Sequence, residues 1–332
     1  MSAKPILEDG VKIAVQASTE SSESELQFIK QMGVEYVTMW TDSAHANYDY
    51  FAGRREIYEK AGIKVYGIGN SSVHNQDALV LNLPNRDEKI EEYRRYIFAL
   101  GKAGIPYTTY AHMANSVWST EAEKTRGDAF ARAFDLEKAQ KERPMTHGRE
   151  YTEEEIWDNF AYFIKHAVQF AEEAGVLIGI HPDDPPGPSL GGVPRCIFSS
   201  FDGYKKALEI ANSPNIGMCL CVGCWLEGGK AMGKDVLETI KYFGERDKIF
   251  KVHFRNVNTT LPHFVETFLD NGYMDMSKVM KALKEANFKG VAIPDHIPNM
   301  ANDYRVATAY TIGYMKALLG TGARDISGVL KR

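Results

Sequence analysis

Short apolar segments alternate with amphipathic stretches along the whole of this 332-residue chain. Eight of these segments are rich in β-branched and aromatic residues and are bounded by Gly, Pro or Asn, which is typical of β-strands. The predicted strands lie at residues 11–16, 34–40, 63–70, 105–112, 176–183, 216–223, 249–256 and 290–296. Eight alternating strand and helix units without a break in composition predict one α/β domain over residues 1–332, a single (β/α)8 or TIM barrel.

Helix signals lie between the predicted strands. Residues 23–32 and 87–103 carry apolar side chains at helical spacing, and residues 152–174 open with Thr152 and Glu155 at the spacing of a capping box. Four predicted helices end at a Gly that leads into the next strand, which indicates a left-handed residue at the helix end: Gly33, Gly62, Gly104 and Gly175. A doubly wound open sheet is the alternative, although no GxGxxG follows the first strand and no P-loop is present.

Charge and hydropathy restrict the partners of this chain. A net charge of -5 and a pI near 6.0 leave no general basic surface for nucleic acid and argue against anionic membranes. No apolar run approaches the roughly 18 residues that span a bilayer, and the first residues lack a secretory signal. The four cysteines cluster between residues 196 and 224 and do not resemble a disulfide framework. We expect a cytoplasmic protein that binds a small molecule.

Two segments exceed the ordinary length of a loop between strand and helix. Residues 113–151 are polar and charged, and residues 257–275 contain His263, Phe264 and Phe268. Long loops at the C-terminal face of a barrel usually act as lids or contact another subunit. We therefore expect both loops to lie at a functional surface.

Four side chains of metal-ligand type lie at or near the ends of four consecutive predicted strands. They are His181, Cys221, His253 and Asp295. Polar residues that end barrel strands face the active site, and this set suits Mn²⁺, Fe²⁺, Co²⁺ or Zn²⁺. The thiolate argues against Mg²⁺ and Ca²⁺, which prefer oxygen ligands. Each residue also has a structural interpretation: a hydrogen-bonded histidine, a small buried cysteine, or an aspartate that caps a turn.

Several motifs resemble those of the mannonate dehydratase family between about residues 60 and 315. The most specific is HPDDPP at 181–186, which continues to VPR at 193–195. LPNRD at 83–87, LGKAGI at 100–105, VHFRN at 252–256 and PDH at 294–296 follow the family's order and approximate spacing. The resemblance implies a metal-dependent barrel like that of xylose isomerase, which removes water from D-mannonate to give 2-keto-3-deoxygluconate.

The resemblance also implies roles for individual residues. His181, Cys221, His253 and Asp295 match the family's metal ligands, and the family's usual metal is Mn²⁺. His296 matches a histidine that acts in proton transfer. Family members tend to assemble, so we expect a homo-oligomer of two or more subunits.

Other site residues are candidates with open alternatives. Tyr304 is a candidate for the second proton transfer, with Tyr310 as a spare, and a core or interface aromatic is the favoured interpretation of both. Arg255 is a candidate to hold a substrate carboxylate, or else forms an ion pair with Asp183 or Asp184. Two further substrate-binding candidates are Asp183, which alternatively orients His181 or Arg255, and His112, which alternatively is a hydrogen-bonded strand histidine.

This chain departs from the family pattern around the substrate rather than at the metal ligands. Family members carry Arg, Trp and His where this chain has Ile293, Gly187 and Phe268, and a serine where it has Cys224. The family's early Trp-Tyr-Gly is replaced by the segment at 15–18. Loss of the arginine at 293 removes a cation near the site. The pattern indicates a divergent relative with an altered substrate.

Four hypotheses about function follow, the last two of which are given together. The first is a metal-dependent dehydratase of a mannonate-like sugar acid, which removes the proton next to the carboxylate and expels the neighbouring hydroxyl. The alternative is a metal-dependent isomerase or epimerase of a neutral sugar, which the loss of the cation at 293 favours. The third is a structural zinc or cluster site of Cys219, Cys221 and Cys224 as C-x-C-x-x-C, or a barrel that binds without catalysis.

Overall fold

The eight predicted strands form a closed parallel barrel. The computed structural model describes residue 5 and residues 7–320. The barrel strands are β1 (Lys12–Ala17), β2 (Tyr36–Thr41), β3 (Lys64–Asn70), β4 (Tyr107–Ala111), β5 (Leu177–His181), β6 (Ile216–Cys221), β7 (Ile249–Phe254) and β8 (Val291–Pro294). Strands that follow one another in the chain are neighbours, and β1 pairs with β8 to close the ring. The TIM-barrel prediction is confirmed, and the alternative of an open sheet is wrong.

One main helix lies between each barrel strand and the next, and the last follows β8. These helices are α1 (Glu23–Gln31), α2 (Tyr48–Lys60), α3 (Arg86–Lys102), α4 (Glu153–Ala174), α5 (Phe201–Ala211), α6 (Val236–Gly244), α7 (Met276–Glu285) and α8 (Tyr304–Leu319). The predicted capping box opens α4, because the side chains of Thr152 and Glu155 each accept a hydrogen bond from the other's backbone N–H. The four glycines predicted at helix ends all have positive φ.

The two long loops contain short elements of their own. The loop after β4 holds Glu123–Lys124 paired with Phe130–Ala131, the 3₁₀ turn Arg126–Asp128, the strand Ala133–Asp135 and the helix Leu136–Glu142. The strand His263–Thr267, in the loop after β7, pairs with Ala133–Asp135 and with Asn256–Val257. The two loops therefore form one antiparallel sheet, which we call the loop sheet.

Five further short elements follow three of the other barrel strands. They are the helix Asp77–Val80 after β3, the strand pair Gly187–Leu190 and Val193–Arg195 after β5, and the helix Val222–Gly228 with the 3₁₀ turn Gly229–Met232 after β6. No helix in the described part of the chain is both long and apolar enough to cross a membrane.

Aromatic side chains fill the inside of the barrel below the strand ends. The hydroxyl of Tyr66 on β3 donates a hydrogen bond of 2.6 Å to the carbonyl of Phe250 on β7, the strand opposite. Tyr66 belongs to a buried cluster with Tyr107, Leu177 and Ile293. Because this layer is closed, a binding site can form above it, at the C-terminal mouth.

Candidate metal centre and active site

Four candidate metal ligands meet at the C-terminal mouth of the barrel. His181 ends β5, Cys221 ends β6, His253 lies one residue before the end of β7, and Asp295 follows β8 directly. Parallel barrel strands end at the same rim, so side chains from adjacent strands converge there. Nδ1 of His253 lies 3.2 Å from His181 Nε2 and 3.6 Å from Asp295 Oδ2. Asp295 Oδ2 lies 3.9 Å from Cys221 Sγ.

Three of the distances between these donor atoms are compatible with a shared metal ion, and the ligand atoms of Cys221, His253 and Asp295 all lie within 4.8 Å of one another. Bonds of about 2.0–2.3 Å from a metal to N, O and S ligands place the ligand atoms roughly 3.3–3.8 Å apart. The three distances of 3.2, 3.6 and 3.9 Å lie close to that range. A cation at their centre would also offset the repulsion between Cys221 and Asp295 when both are ionised.

Hydrogen bonds and nearby charges favour the metal-binding forms of two of these candidate ligands, His181 and Cys221. Nδ1 of His181 donates to the carbonyl of Pro182 at 2.7 Å, which leaves the Nε2 lone pair facing the other ligands. Burial of the Cys221 thiol raises its pKa, but a hydrogen bond from Cys224 and the charge of Arg255 outweigh burial and hold that pKa well below its usual value. The thiolate, which is the form that binds metals, is therefore favoured at Cys221.

Cys224 is the nearest competitor for the same ion. Its Sγ lies within 4.8 Å of the ligand atoms of His181 and Cys221. It also accepts a hydrogen bond of 3.2 Å from Nη2 of Arg255, a cation that would repel a metal at this sulfur. Cys219 joins neither cysteine in any group of converging ligand atoms within the described ranges. The geometry does not support the C-x-C-x-x-C site.

A buried network of charges adjoins the ligands. The guanidinium of Arg255 is 1% exposed and contacts Asp184 at 3.2 Å, Glu227 at 2.9 Å and Glu266 at 2.7 Å. Arg132 reaches in from the loop after β4 and contacts the same three carboxylates. For Arg255 the structure shows the ion pair with Asp184, and its guanidinium is occupied by protein carboxylates rather than free for a substrate.

His296 lies between this network and the open mouth. Its Nδ1 is 2.8 Å from Oε1 of Glu266 and also contacts Arg255, and its side chain is 34% exposed. Burial lowers the pKa of His296, but the charges of Asp295 and Glu266 outweigh burial and raise it. A partly exposed histidine that a carboxylate orients next to a metal ligand is well placed for proton transfer.

A pocket of about 400 Å³ opens over the candidate ligands, a size that suits a small molecule. Its lining consists of Gln16, Trp40, His74, Thr109, Met113, Val117, His181, Asp184, His253, Pro294, Asp295, His296, Ile297 and Tyr304. The lining combines hydrogen-bonding groups with apolar side chains, and among the described residues it includes no Lys or Arg.

None of the three residues predicted to bind substrate lines this pocket: Arg255 is held by the buried carboxylates, and His112 and Asp183 face other partners. His112 hydrogen-bonds with the hydroxyl of Tyr110 at 2.8 Å and packs edge-on against Phe160, outside the barrel. Successive strand residues face opposite sides, so Thr109 takes the inward position that was expected for His112. Asp183 accepts a hydrogen bond of 2.8 Å from Ser199, and the next residue, Asp184, lines the pocket instead.

The two tyrosine candidates differ in position. Tyr304 begins α8, lines the pocket and is 65% exposed. Tyr310 accepts a hydrogen bond of 3.2 Å from Arg126 and meets the ring of Phe268 edge-on, so it lies away from the pocket lining. Only Tyr304 of these two remains a candidate for contact with a substrate.

Among the side chains of this site that the sequence analysis missed are His74 and Arg132. His74 lies in the turn after β3 and lines the pocket. The rule that residues after barrel strands face the mouth could have identified it. Arg132 lies in the loop sheet, and no sequence pattern connects it to Asp184, because strand pairing between two distant loops brings them together.

The chain matches known sequences over most of its length. The family model described as D-mannonate dehydratase (UxuA) matches residues 17–147 and 133–331. The chain belongs to the mannonate dehydratase family. A mannonate dehydratase from Streptococcus equi subsp. zooepidemicus is 31% identical over 294 residues, which cover 80% of this chain and 79% of that protein. The resemblance inferred from HPDDPP and its neighbouring motifs is confirmed.

Solved structures agree with membership of the mannonate dehydratase family. The crystal structure of mannonate dehydratase from Streptococcus suis serotype 2 is similar with a TM-score of 0.81, 25% identity and 96% coverage of both chains. A 3-keto-D-glucoside 4-epimerase from E. coli gives a TM-score of 0.64 at 12% identity, over 93% of this chain and 100% of that one, which shows a shared fold alone. The family's mannonate dehydratases are hydro-lyases, and this chain is a member of that enzyme family.

Proposed function

We propose that this protein is a metal-dependent hydro-lyase that removes water from a mannonate-like sugar acid. The observation that carries the proposal is the convergence of two imidazoles, a thiolate and a carboxylate beside His296 at the floor of an open pocket. Membership of the mannonate dehydratase family supports the class of reaction.

We propose Mn²⁺ as the resident ion, with Fe²⁺, Co²⁺ and Zn²⁺ as ions that the same ligands would accept. His181, Cys221, His253 and Asp295 would hold it. Mixed nitrogen, sulfur and oxygen donors suit these first-row metals, and the thiolate disfavours Mg²⁺ and Ca²⁺. A bound ion of this kind supplies Lewis-acid chemistry, which polarises substrate oxygens and makes the carbon next to a carboxylate more acidic.

Two proton transfers in the dehydration fall to protein side chains. The carbon next to the carboxylate loses a proton, and the neighbouring hydroxyl takes up a proton and leaves as water, after which the enol becomes the 2-keto-3-deoxy acid. His296 is the candidate for one transfer, because Glu266 orients its Nδ1 and its ring lines the pocket. Tyr304 is a candidate for the other, because it lines the same pocket.

A metal-dependent isomerase or epimerase of a neutral sugar is the second candidate. The described pocket lining contains no Lys or Arg, and both Arg132 and Arg255 are occupied by buried carboxylates. Ile293, where family members carry Arg, packs with Tyr66 and Tyr107 inside the barrel. A substrate without a carboxylate would need no free cation to bind it.

Metal content and turnover, measured on the same preparation, test the proposal. Protein loaded with Mn²⁺ is analysed by elemental mass spectrometry and then incubated with aldonates, including D-mannonate, beside neutral aldoses and ketoses. We expect about one ion per chain, as a single four-ligand site requires, and a 2-keto-3-deoxy acid formed from an aldonate.

Matched cysteine variants check the ligand set. We expect Cys221→Ser and His253→Ala to lose the ion. Cys224→Ser should retain it, because the sulfur of Cys224 already accepts a hydrogen bond from the guanidinium of Arg255. Turnover confined to neutral sugars would favour the second candidate. A wild-type protein that holds no metal after loading would contradict both candidates.

A further inference from the structure

One imidazole in the pocket lies apart from the candidate metal ligands. The four ligands come from β5, β6, β7 and the residue after β8, which form one continuous half of the ring. His74 follows β3, the strand opposite β7, and lines the same pocket as His296. A molecule held over the ligands would therefore have His74 on one side and His296 on another.

The surroundings of His74 hold its Nδ1 in a hydrogen bond and leave its Nε2 available to a molecule in the pocket. Nδ1 lies 3.3 Å from the carbonyl of Thr109, which can only accept a hydrogen bond, so Nδ1 carries the hydrogen. Trp40 packs edge-on against the ring, with centroids 4.8 Å apart, and its own Nε1 donates to Gln16. Among the described residues no hydrogen bond is made to Nε2 of His74, and that atom is not sealed in the interior.

Electrostatics favour the same protonation state. Burial, together with the nearby His181, lowers the pKa of His74, so the ring is neutral at pH 7 with a lone pair on Nε2. His296 differs, because its Nδ1 is bound to the carboxylate of Glu266. The two histidines therefore present different groups to one pocket: His74 presents Nε2, and His296 presents a ring that Glu266 orients.

We propose that His74, rather than Tyr304, is the general base of the reaction, a role that rests on the proposed dehydratase function. Its Nε2 lone pair takes the proton from the carbon next to the substrate carboxylate. The electron pair of that C–H bond forms the new carbon–carbon double bond, and the neighbouring hydroxyl leaves with a proton from His296 as water. His74 then returns its proton to solvent and His296 takes one up from solvent, while the enol product becomes the keto acid.

One substitution can distinguish a general base at position 74 from a residue that only packs there. In His74→Asn the side-chain amide can still donate to the Thr109 carbonyl, in place of Nδ1, but no group replaces Nε2. We expect this variant to bind metal like the wild type and to have a similar KM. Its kcat should fall by roughly 10²- to 10⁴-fold, the usual effect of losing a general base, and added imidazole should restore part of it.

Two readouts other than turnover complete the test. In D2O, a His296→Asn variant should still exchange the substrate proton for deuterium, whereas His74→Asn should not. In metal-free wild-type protein with ¹⁵N-labelled histidine, the NMR signals that His74→Asn removes should be those of a neutral Nδ1–H ring at pH 7. A kcat within a few-fold of wild type in His74→Asn, a parallel loss of metal, or a charged ring would each overturn the proposal. Wild-type protein that dehydrates no aldonate would instead overturn the proposed function, and this role with it.

Discussion

At the scale of single residues, the candidate metal centre adjoins a close approach that only glycine allows. Gly223 lies two residues after Cys221, and a Cβ at this position would overlap Nε of Arg255 and lie 2.8 Å from its Cζ. Arg255 has no room to withdraw, because Asp184, Glu227 and Glu266 hold its guanidinium in the protein interior. The charged network can therefore pack only if position 223 is glycine.

Gly223→Ala tests this requirement. We expect a loss of about 1–3 kcal/mol in the free energy of unfolding, which is typical of overpacking a buried site, together with weaker metal binding. Urea unfolding and elemental analysis would measure the two effects. Gly313→Ala is the matched control, since Gly313 lies in α8 with open space at its Cβ position, and we expect it to stabilise the protein by about 0.5–1 kcal/mol. Equal stability of both variants would contradict the argument.

At the scale of elements, the loop sheet connects two loops that are far apart in the chain. Phe134 and Phe264 are fully buried at its centre, with stacked rings whose centroids are 5.8 Å apart. Arg132 precedes the strand Ala133–Asp135, so the sheet also holds its guanidinium against Asp184, at 2.6 Å. The long loops thus reach the candidate active site through Arg132 and through Glu266, which lies on the strand His263–Thr267 and contacts Arg255 and His296.

Phe264→Ala should open the loop sheet while the barrel stays folded. Removing a fully buried aromatic ring lowers the free energy of unfolding by about 3–5 kcal/mol. We expect this loss to destabilise the two loops, because the ring packs between them. We expect faster hydrogen exchange, followed by mass spectrometry, over residues 113–151 and 257–275, with little change in the barrel strands. Phe264→Leu should show a much smaller effect. Uniformly faster exchange throughout the molecule would mean that the loops and barrel open as one unit.

At the scale of the whole molecule, a bound ion would join four adjacent strands of the barrel. β5, β6, β7 and β8 each bring one candidate ligand to the rim, so only the folded chain assembles the site. A ligand that binds only the folded state stabilises it in proportion to the logarithm of its concentration. The expectations of a homo-oligomer and of a cytoplasmic location also belong to this scale, and they stay predictions.

Thermal unfolding with and without Mn²⁺ measures this coupling. At about 100 times the dissociation constant, the ion should add about 2.7 kcal/mol and raise the Tm by roughly 5 °C. Cys221→Ser should abolish the increase, and Cys224→Ser should keep it. A chelator should reverse the effect in the wild type. The same increase in Cys221→Ser would show that the ion stabilises the fold from another site.

Local pattern in the sequence was sufficient for the order of the elements and for the rim residues. Eight apolar segments with intervening helix signals predict the barrel, because short-range periodicity and Gly at helix ends are properties of neighbouring residues. The rule that strand ends face the mouth then places His181, Cys221, His253 and Asp295 together. The family motifs added His296, which the structure places at the same pocket.

Contacts between distant segments were decided by the tertiary structure. Which face of β4 points inward depends on how the strand sits in the barrel, so the sequence named His112 where the structure presents Thr109. Arg132 reaches Asp184 because two loops pair as strands. The carboxylates that surround Arg255 come from three segments that are far apart in the sequence. His74 lies opposite His253 only because the ring closes. The sequence by itself determined the elements and the chemistry at their ends, whereas packing across the barrel determined which charged groups are neutralised and which remain open to a substrate.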